Sequence, residues 1–203
     1  MILIGRYLSP FVRRVAVTLI YQNIEFEHRA IRAGGADQDI VRQSNPLGRV
    51  PALILDNDEV LSDSAVILDH IDDMVGEGRA LMPRSGWERT HAMNLLSIAT
   101  GAAEKTVAHY MEFNRPEDKQ DSDTANNAGR QAKDGFEYLN AMVKGEWMLG
   151  EKLSQLDISL AAYLEFFRIS SPEMAKSTHC PALDDIVSRA MALPCFIQTD
   201  PQS

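Results

Sequence analysis

The hydrophobic period of this chain changes once, near residue 80, and that change limits the folds open to it. Before it, apolar runs of strand length alternate with stretches at helical spacing; after it, strand alternation ends and helical spacing continues. Ile2-Leu3-Ile4, stopped by Gly5, reads as a short buried strand. Phe11, Val12, Val15, Ala16, Leu19 and Ile20 then fall on one helical face. Ile24, Phe26, His28 and Ala30 alternate as a second strand, Gly34-Gly35 breaks it, and Asp37 to Gln43 fits a short helix. Asn45-Pro46-Leu47-Gly48 is turn chemistry. Pro51 to Leu55 and Val60-Leu61 flank the polar Asp56-Asn57-Asp58 as a hairpin. Ile67, Ile71, Met74 and Val75 mark a helix opened by Ser62 or Ser64. The order βαβ-α-ββα predicts a small mixed sheet with helices packed on it, because the crossover makes one pair parallel and the hairpin adds antiparallel strands.

Gly76-Glu77-Gly78 and Pro83 punctuate a linker, and helical patterning follows. Trp87 to Phe113 is long enough for one long helix or two, Pro116 to Gly129 is polar and reads as an exposed turn or a frayed start, and Ala132 to Met142 resumes the pattern. Ile158 to Ile169 is apolar enough for a buried helix, and Leu183 to Met191 makes another. The predicted organisation is an α/β unit over residues 1–76, a linker over 77–85 and an all-helical bundle over 86–203.

Composition removes several function classes. With 45% apolar residues in 203, the chain can bury a sizeable core. Twenty Lys and Arg against 29 Asp and Glu give a net charge of −9 and no basic stripe, which argues against a nucleic-acid surface. No apolar run reaches the ~18–20 residues of a membrane span. Met1 to Tyr7 lacks the form of a signal peptide, and Cys180 and Cys195 stand in no metal spacing, so a cytoplasmic protein without a metal site is the expectation.

Three short segments could carry chemistry. Ser9-Pro10 opens the first helix, where Ser is a favoured cap and Pro a favoured first residue. The same place stabilises an anion, thiolate included, through the helix dipole, and a serine hydroxyl there can donate to it. Val50-Pro51 starts a strand; a cis bond there would turn the Val50 main chain outward to an extended ligand. Ser62-Asp63-Ser64 offers a hydroxyl, helix amides for a carboxylate and an acid for an ammonium, the three needs of an amino-acid head group. By contrast, Ser154-Gln155-Leu156-Asp157 is a capping pattern with a structural purpose. Asp69, Asp72 and Asp73 read as a solvated helix face, Tyr110, Met111 and Phe113 as core or as one wall of a pocket, and the five histidines show no ligand spacing.

Taken in order, these segments resemble the cytosolic glutathione S-transferases of bacterial type. Ser9-Pro10-Phe11-Val12-Arg13-Arg14-Val15 is similar to their first-helix start. Asn45 through Leu53 is similar to their cis-proline loop and strand, and Leu61-Ser62-Asp63-Ser64-Ala65-Val66-Ile67 to their γ-glutamyl turn. Ser154 to Asp157 sits where the family keeps its capping motif. The resemblance implies a thioredoxin-like N-terminal domain, a helical C-terminal domain, a homodimer, and glutathione as co-substrate with a small electrophile. It further implies that Val50 bonds the cysteinyl main chain, Asp63 and Ser64 hold the γ-glutamyl ammonium and carboxylate, Arg49 reaches the glycyl carboxylate, and Ser9 faces the sulfur. The family commonly carries Glu or Gln where this chain has the shorter Asp63. A thiol–disulfide oxidoreductase or a non-catalytic binding protein on the same fold stays open beside a transferase.

Overall fold

A computed structural model describes residues 1–201 of the chain. The elements run β1 (Ile2–Ile4), α1 (Pro10–Tyr21), β2 (Glu27–Arg29), α2 (Gln38–Ser44), β3 (Ala52–Ile54), β4 (Val60–Ser62) and α3 (Ser64–Val75). Then follow α4 (Gly86–Phe113), α5 (Ser122–Asn140), α6 (Gln155–Ser170), α7 (Pro172–Lys176), α8 (Pro181–Met191) and α9 (Pro194–Ile197). This is the expected thioredoxin-like sheet with its helices, followed by helices alone.

The sheet order is β2-β1-β3-β4, with β1 parallel to β2 and antiparallel to β3, and β3 antiparallel to β4. Leu3 and Leu53 are cross-strand partners, and both are buried beneath Val12, Val15, Ala16 and Leu19 of α1 and Ile67, Leu68 and Ile71 of α3. One sheet face therefore carries the core of this unit. The second strand is shorter than its alternation suggested: Ile24 and Phe26 pack against the core before the ladder begins at Glu27.

Packing divides the chain into one unit of Met1–Arg84 together with the segment from Ala192 onward, and another of Ser85–Met191. The tail thus departs from the boundary expected for a helical domain over 86–203. Its attachment is specific: the Arg13 guanidinium lies 5.4 Å from the Phe196 ring centroid and donates to the Phe196 carbonyl at 3.4 Å. Nor is the predicted linker loose. The Asp72 carboxylate accepts from the Leu81 and Met82 amides at 2.8 and 2.9 Å, and Gln22 Nε2 donates to the Arg79 carbonyl at 2.8 Å. Asp72 is accordingly buried and not part of a solvated face; a lone acid on an amphipathic helix gives no sign that a returning loop will cover it.

In the helical unit, α4 is one helix of 28 residues. Helix α5 begins at Ser122, inside the segment read as an exposed turn or a frayed start, with Asp121 accepting from the Thr124 amide. Its buried positions there are Ala125, Ala128 and Gly129, which are too small to register as an apolar period. Close neighbours leave little room there: a Cβ on Gly129 would meet Met174 Cε of α7 at 2.8 Å and His109 Nδ1 of α4 at 3.0 Å. Met111 and Phe113 are exposed, so they are not core, while Tyr110 meets Phe166 edge-on at 5.9 Å. No helix among the described residues is long and apolar enough to cross a membrane.

Candidate functional site

One register row gathers the three segments singled out in the sequence. Ile4 pairs with Ala52, and Ala52 pairs with Ser62. The loop after β1, the bond before β3 and the turn after β4 therefore leave the sheet at one end. Gly5 makes the approach close: at φ 128° it adopts backbone that favours glycine, and a Cβ there would meet Val12 Cγ2 at 2.5 Å and Val50 Cβ at 3.0 Å.

From Gly5 the chain turns through Tyr7 to Ser9. His28 Nε2 donates to the Gly5 carbonyl at 2.7 Å, and the Tyr7 ring stacks on the His28 ring with centroids 4.0 Å apart. Partial burial raises the Tyr7 phenol above its ordinary pKa, so it stays protonated at neutral pH. Ser9 takes the N-cap position of α1, with its amide donating to the Arg6 carbonyl at 3.0 Å and its carbonyl accepting from Arg13 at 2.9 Å. Its hydroxyl makes no capping bond. The backbone is capped in form, and the side chain is left for another partner.

The Val50–Pro51 bond is cis, as the resemblance implies. Val50 stands just outside the ladder that begins at Ala52. The loop leading to it is held by buried Asn45, whose Nδ2 donates to the Arg49 carbonyl at 3.0 Å and whose Oδ1 accepts from the Leu47 amide at 3.0 Å. Gln38 Nε2 adds a bond to the Gly48 carbonyl at 3.2 Å. The Arg49 side chain is exposed on the outside of this turn.

At the third segment Asp63 caps α3, its Oδ1 accepting from the Ala65 amide at 2.7 Å. Asp63 sits at φ 81°, a left-handed value that a residue other than glycine reaches only at a cost of about 1–2 kcal/mol. Ser64 is buried, and its hydroxyl accepts from Arg14 Nη2 at 2.6 Å. Arg14 and the Tyr7–His28 stack are parts of this corner whose contacts sequence reasoning missed. An arginine beside the apolar stripe of α1 carries no local mark of burial, and a stack between the loop after β1 and His28 of β2 depends on the parallel pairing.

The capping pattern of α6 lies in the other unit. Asp157 accepts from the Met148 amide at 2.7 Å, the Ser154 amide at 2.8 Å and the Ser154 hydroxyl at 2.6 Å. Among the described residues no group of His, Cys, Asp and Glu is placed to hold a metal ion. Both cysteines are free and buried; burial, helped by Asp184 and Glu137, pushes the Cys180 thiol up to about 12.

Comparison with known proteins gives a consistent picture. Residues 3–78 match the family model described as glutathione S-transferase, N-terminal domain. The chain is 26% identical to the uncharacterized GST-like protein YibF of Escherichia coli K12, over 98% of each chain. It is 27% identical to a probable maleylacetoacetate isomerase of Vibrio cholerae, over 100% of this chain and 96% of the other. Among solved structures, a Methylobacillus flagellatus glutathione S-transferase with glutathione bound superposes with a TM-score of 0.88 at 25% identity, covering 98% of both chains. A Pseudomonas fluorescens glutathione transferase family member with bound glutathione gives 0.86 at 27% identity, over 98% of this chain and 97% of that one.

Proposed function

We propose that this chain, whose residues 3–78 match the glutathione S-transferase N-terminal domain, binds glutathione at the end of the sheet marked by Ile4, Ala52 and Ser62 and activates the thiol for attack on a small electrophile. In this reading Ser9 faces the sulfur, Val50 pairs with the cysteinyl main chain, Asp63 and Ser64 take the γ-glutamyl ammonium and carboxylate, and Arg49 reaches the glycyl carboxylate. The observation that carries it is the serine at the start of α1 whose hydroxyl is not used as a cap.

The chemistry follows from thiol acidity. A thiol of pKa ~8.5 is a few per cent thiolate at neutral pH, and the thiolate is the nucleophile. Lowering that pKa by about two units requires ~2.7 kcal/mol of preferential stabilisation of the anion. One hydroxyl donor to a charged acceptor contributes ~1.5–3 kcal/mol, and the α1 dipole adds part of a further ~0.3–1 kcal/mol. The remaining acceleration comes from positioning the electrophile.

Position 9 is serine and both cysteines are buried, so glutathione itself supplies the reactive thiol in this reading. Pairing of two protomers belongs to the same proposal; sedimentation at micromolar concentration checks it, and a monomer removes it. The deciding experiment for the whole reading is a calorimetric titration with glutathione, followed by turnover of aryl halides, cis-dicarboxylic enediones, peroxides and disulfides. The cis-dicarboxylic compounds enter because one relative bears an isomerase name. Saturable binding with turnover of a carbon electrophile is expected; absence of glutathione binding overturns the proposal, and disulfide reduction alone replaces it with the oxidoreductase reading.

A further inference from the structure

We propose that Arg14 sets the charge preference of the anion site at the start of α3, acting through Ser64 and without touching the ligand. The inference rests on the reading that this turn takes the γ-glutamyl carboxylate.

Arg14 is 1% exposed, and a guanidinium keeps its charge under all ordinary conditions. It has donors only, so in the 2.6 Å contact with Ser64 Oγ the hydroxyl is the acceptor. The lone pair of that hydroxyl is engaged by a cation, and its own proton remains to be given. A hydroxyl polarised from behind by a cation is a stronger donor, because linked hydrogen bonds in a low-dielectric setting reinforce one another. Ser64 is also the first residue of α3, where the helix leaves early amides without intrahelical acceptors. Asp63 already serves the Ala65 amide. A group arriving beside Ser64 therefore meets a polarised hydroxyl, first-turn amides and a fixed cation behind them, while the neighbouring acid Asp63 presents the opposite sign. That arrangement sorts the two ends of a zwitterionic amino-acid head group: carboxylate to Ser64, ammonium to Asp63. A neutral amide in place of the carboxylate forfeits the attraction of the cation.

The test is calorimetric titration of the full chain with two ligands: glutathione, and the analogue whose γ-glutamyl α-carboxylate is a primary amide. Arg14→Gln keeps an N–H donor and removes the charge; glutathione affinity should fall about tenfold while affinity for the amide changes by less than about twofold. Arg14→Lys restores the charge and should keep the preference for glutathione within about threefold of the wild type. Ser64→Ala, with Arg14 untouched, should also collapse the preference, and adding Arg14→Gln to it should cost little more. Equal losses for both ligands in Arg14→Gln would make Arg14 a strut between α1 and α3 and overturn the inference. So would an unchanged preference in Ser64→Ala, which decides the matter if Arg14→Gln fails to fold. Wild-type protein that binds neither ligand defeats the glutathione reading itself; wild-type protein that binds glutathione without these selective losses defeats only the role of Arg14.

Discussion

Ser9 and Ser154 occupy the same kind of position, the residue before a helix, and the fold uses them in opposite ways. Ser154 is buried in a closed capping box where its amide and hydroxyl both donate to Asp157, whose other oxygen takes the Met148 amide. Ser9 has Pro10 at the first helical position, makes no capping bond with its hydroxyl, and lies where three loops leave the sheet. A local pattern states that a serine can cap; it does not state whether the hydroxyl is consumed in doing so. What separates a structural cap from a site residue is the remaining hydrogen-bonding capacity.

The largest expected effect breaks the α6 side of this pair. Asp157→Ala leaves two buried amides and a buried hydroxyl without their acceptor, at ~1–3 kcal/mol for each stranded group. The loss should exceed about 3 kcal/mol, a large share of a typical 5–15 kcal/mol stability, with Ser154→Ala costing about 1–2 kcal/mol. Urea denaturation followed by circular dichroism measures both. A loss below about 1 kcal/mol for Asp157→Ala would show the box to be ornamental.

Ser9→Ala should invert that profile. With no capping bond to lose, stability should change by less than about 0.5 kcal/mol. If Ser9 donates to the thiolate as proposed, removing it should cost turnover about ten- to a hundredfold and raise the pKa of bound glutathione, read from thiolate absorbance against pH. Glutathione affinity should change less. A folded Ser9→Ala protein with full turnover and an unaltered thiol pKa would make Ser9 a cap in name only and move activation to the backbone amides of α1.

Smaller still is the effect expected at Asp63, a cap that in the proposed reading also takes the ligand ammonium. Asp63→Asn keeps an oxygen for the Ala65 amide, and Asn tolerates the left-handed φ, so stability should stay within about 0.5 kcal/mol. The charge proposed to meet the ligand ammonium is lost, and glutathione affinity should fall about three- to tenfold in a titration at low salt. An unchanged affinity would restrict Asp63 to capping.

Periodicity recovered the fold well because it reports burial of large side chains. Leu3, Leu53, Val12 and Ile67 give clear signals, and the βαβ-α-ββα order follows from them. It failed where small residues do the packing, as at Ala125, Ala128 and Gly129 of α5, and where distant chain returns, as when Phe196 settles on Arg13. Candidate site residues were legible by type, since Ser9, Val50, Asp63 and Ser64 sit at turns whose chemistry is local. Arg14 was not, because its significance lies in a contact 50 positions away. Asp72 misled for a related reason: its partners, Leu81 and Met82, come from a segment that looks like a free linker.

A last, weaker contrast concerns pH, and it belongs to Asp72, a buried acid outside the candidate site. Burial raises the Asp72 carboxyl above the ordinary carboxylate range, with the Leu81 and Met82 amides and Arg84 pulling the other way and Asp69 adding to the rise. A carboxyl whose pKa is higher in the folded chain binds its proton more tightly there than in the unfolded one. Its contribution therefore favours folding below the ordinary carboxylate pKa and declines as pH rises through the window up to the folded value. Urea midpoints between pH 4 and 7 should show this decline, superimposed on the other carboxylates. Asp72→Asn removes the titrating group, so the difference between wild type and variant should vary with pH in that window and become constant above it. Asn replaces one of the two accepting oxygens with an NH2 donor, so one linker amide loses its acceptor and the variant should also be less stable throughout. A difference independent of pH would mean that the two linker amides fully offset burial; a wild-type advantage that grows with rising pH would reverse the assignment and make Asp72 an acid stabilised in its charged form.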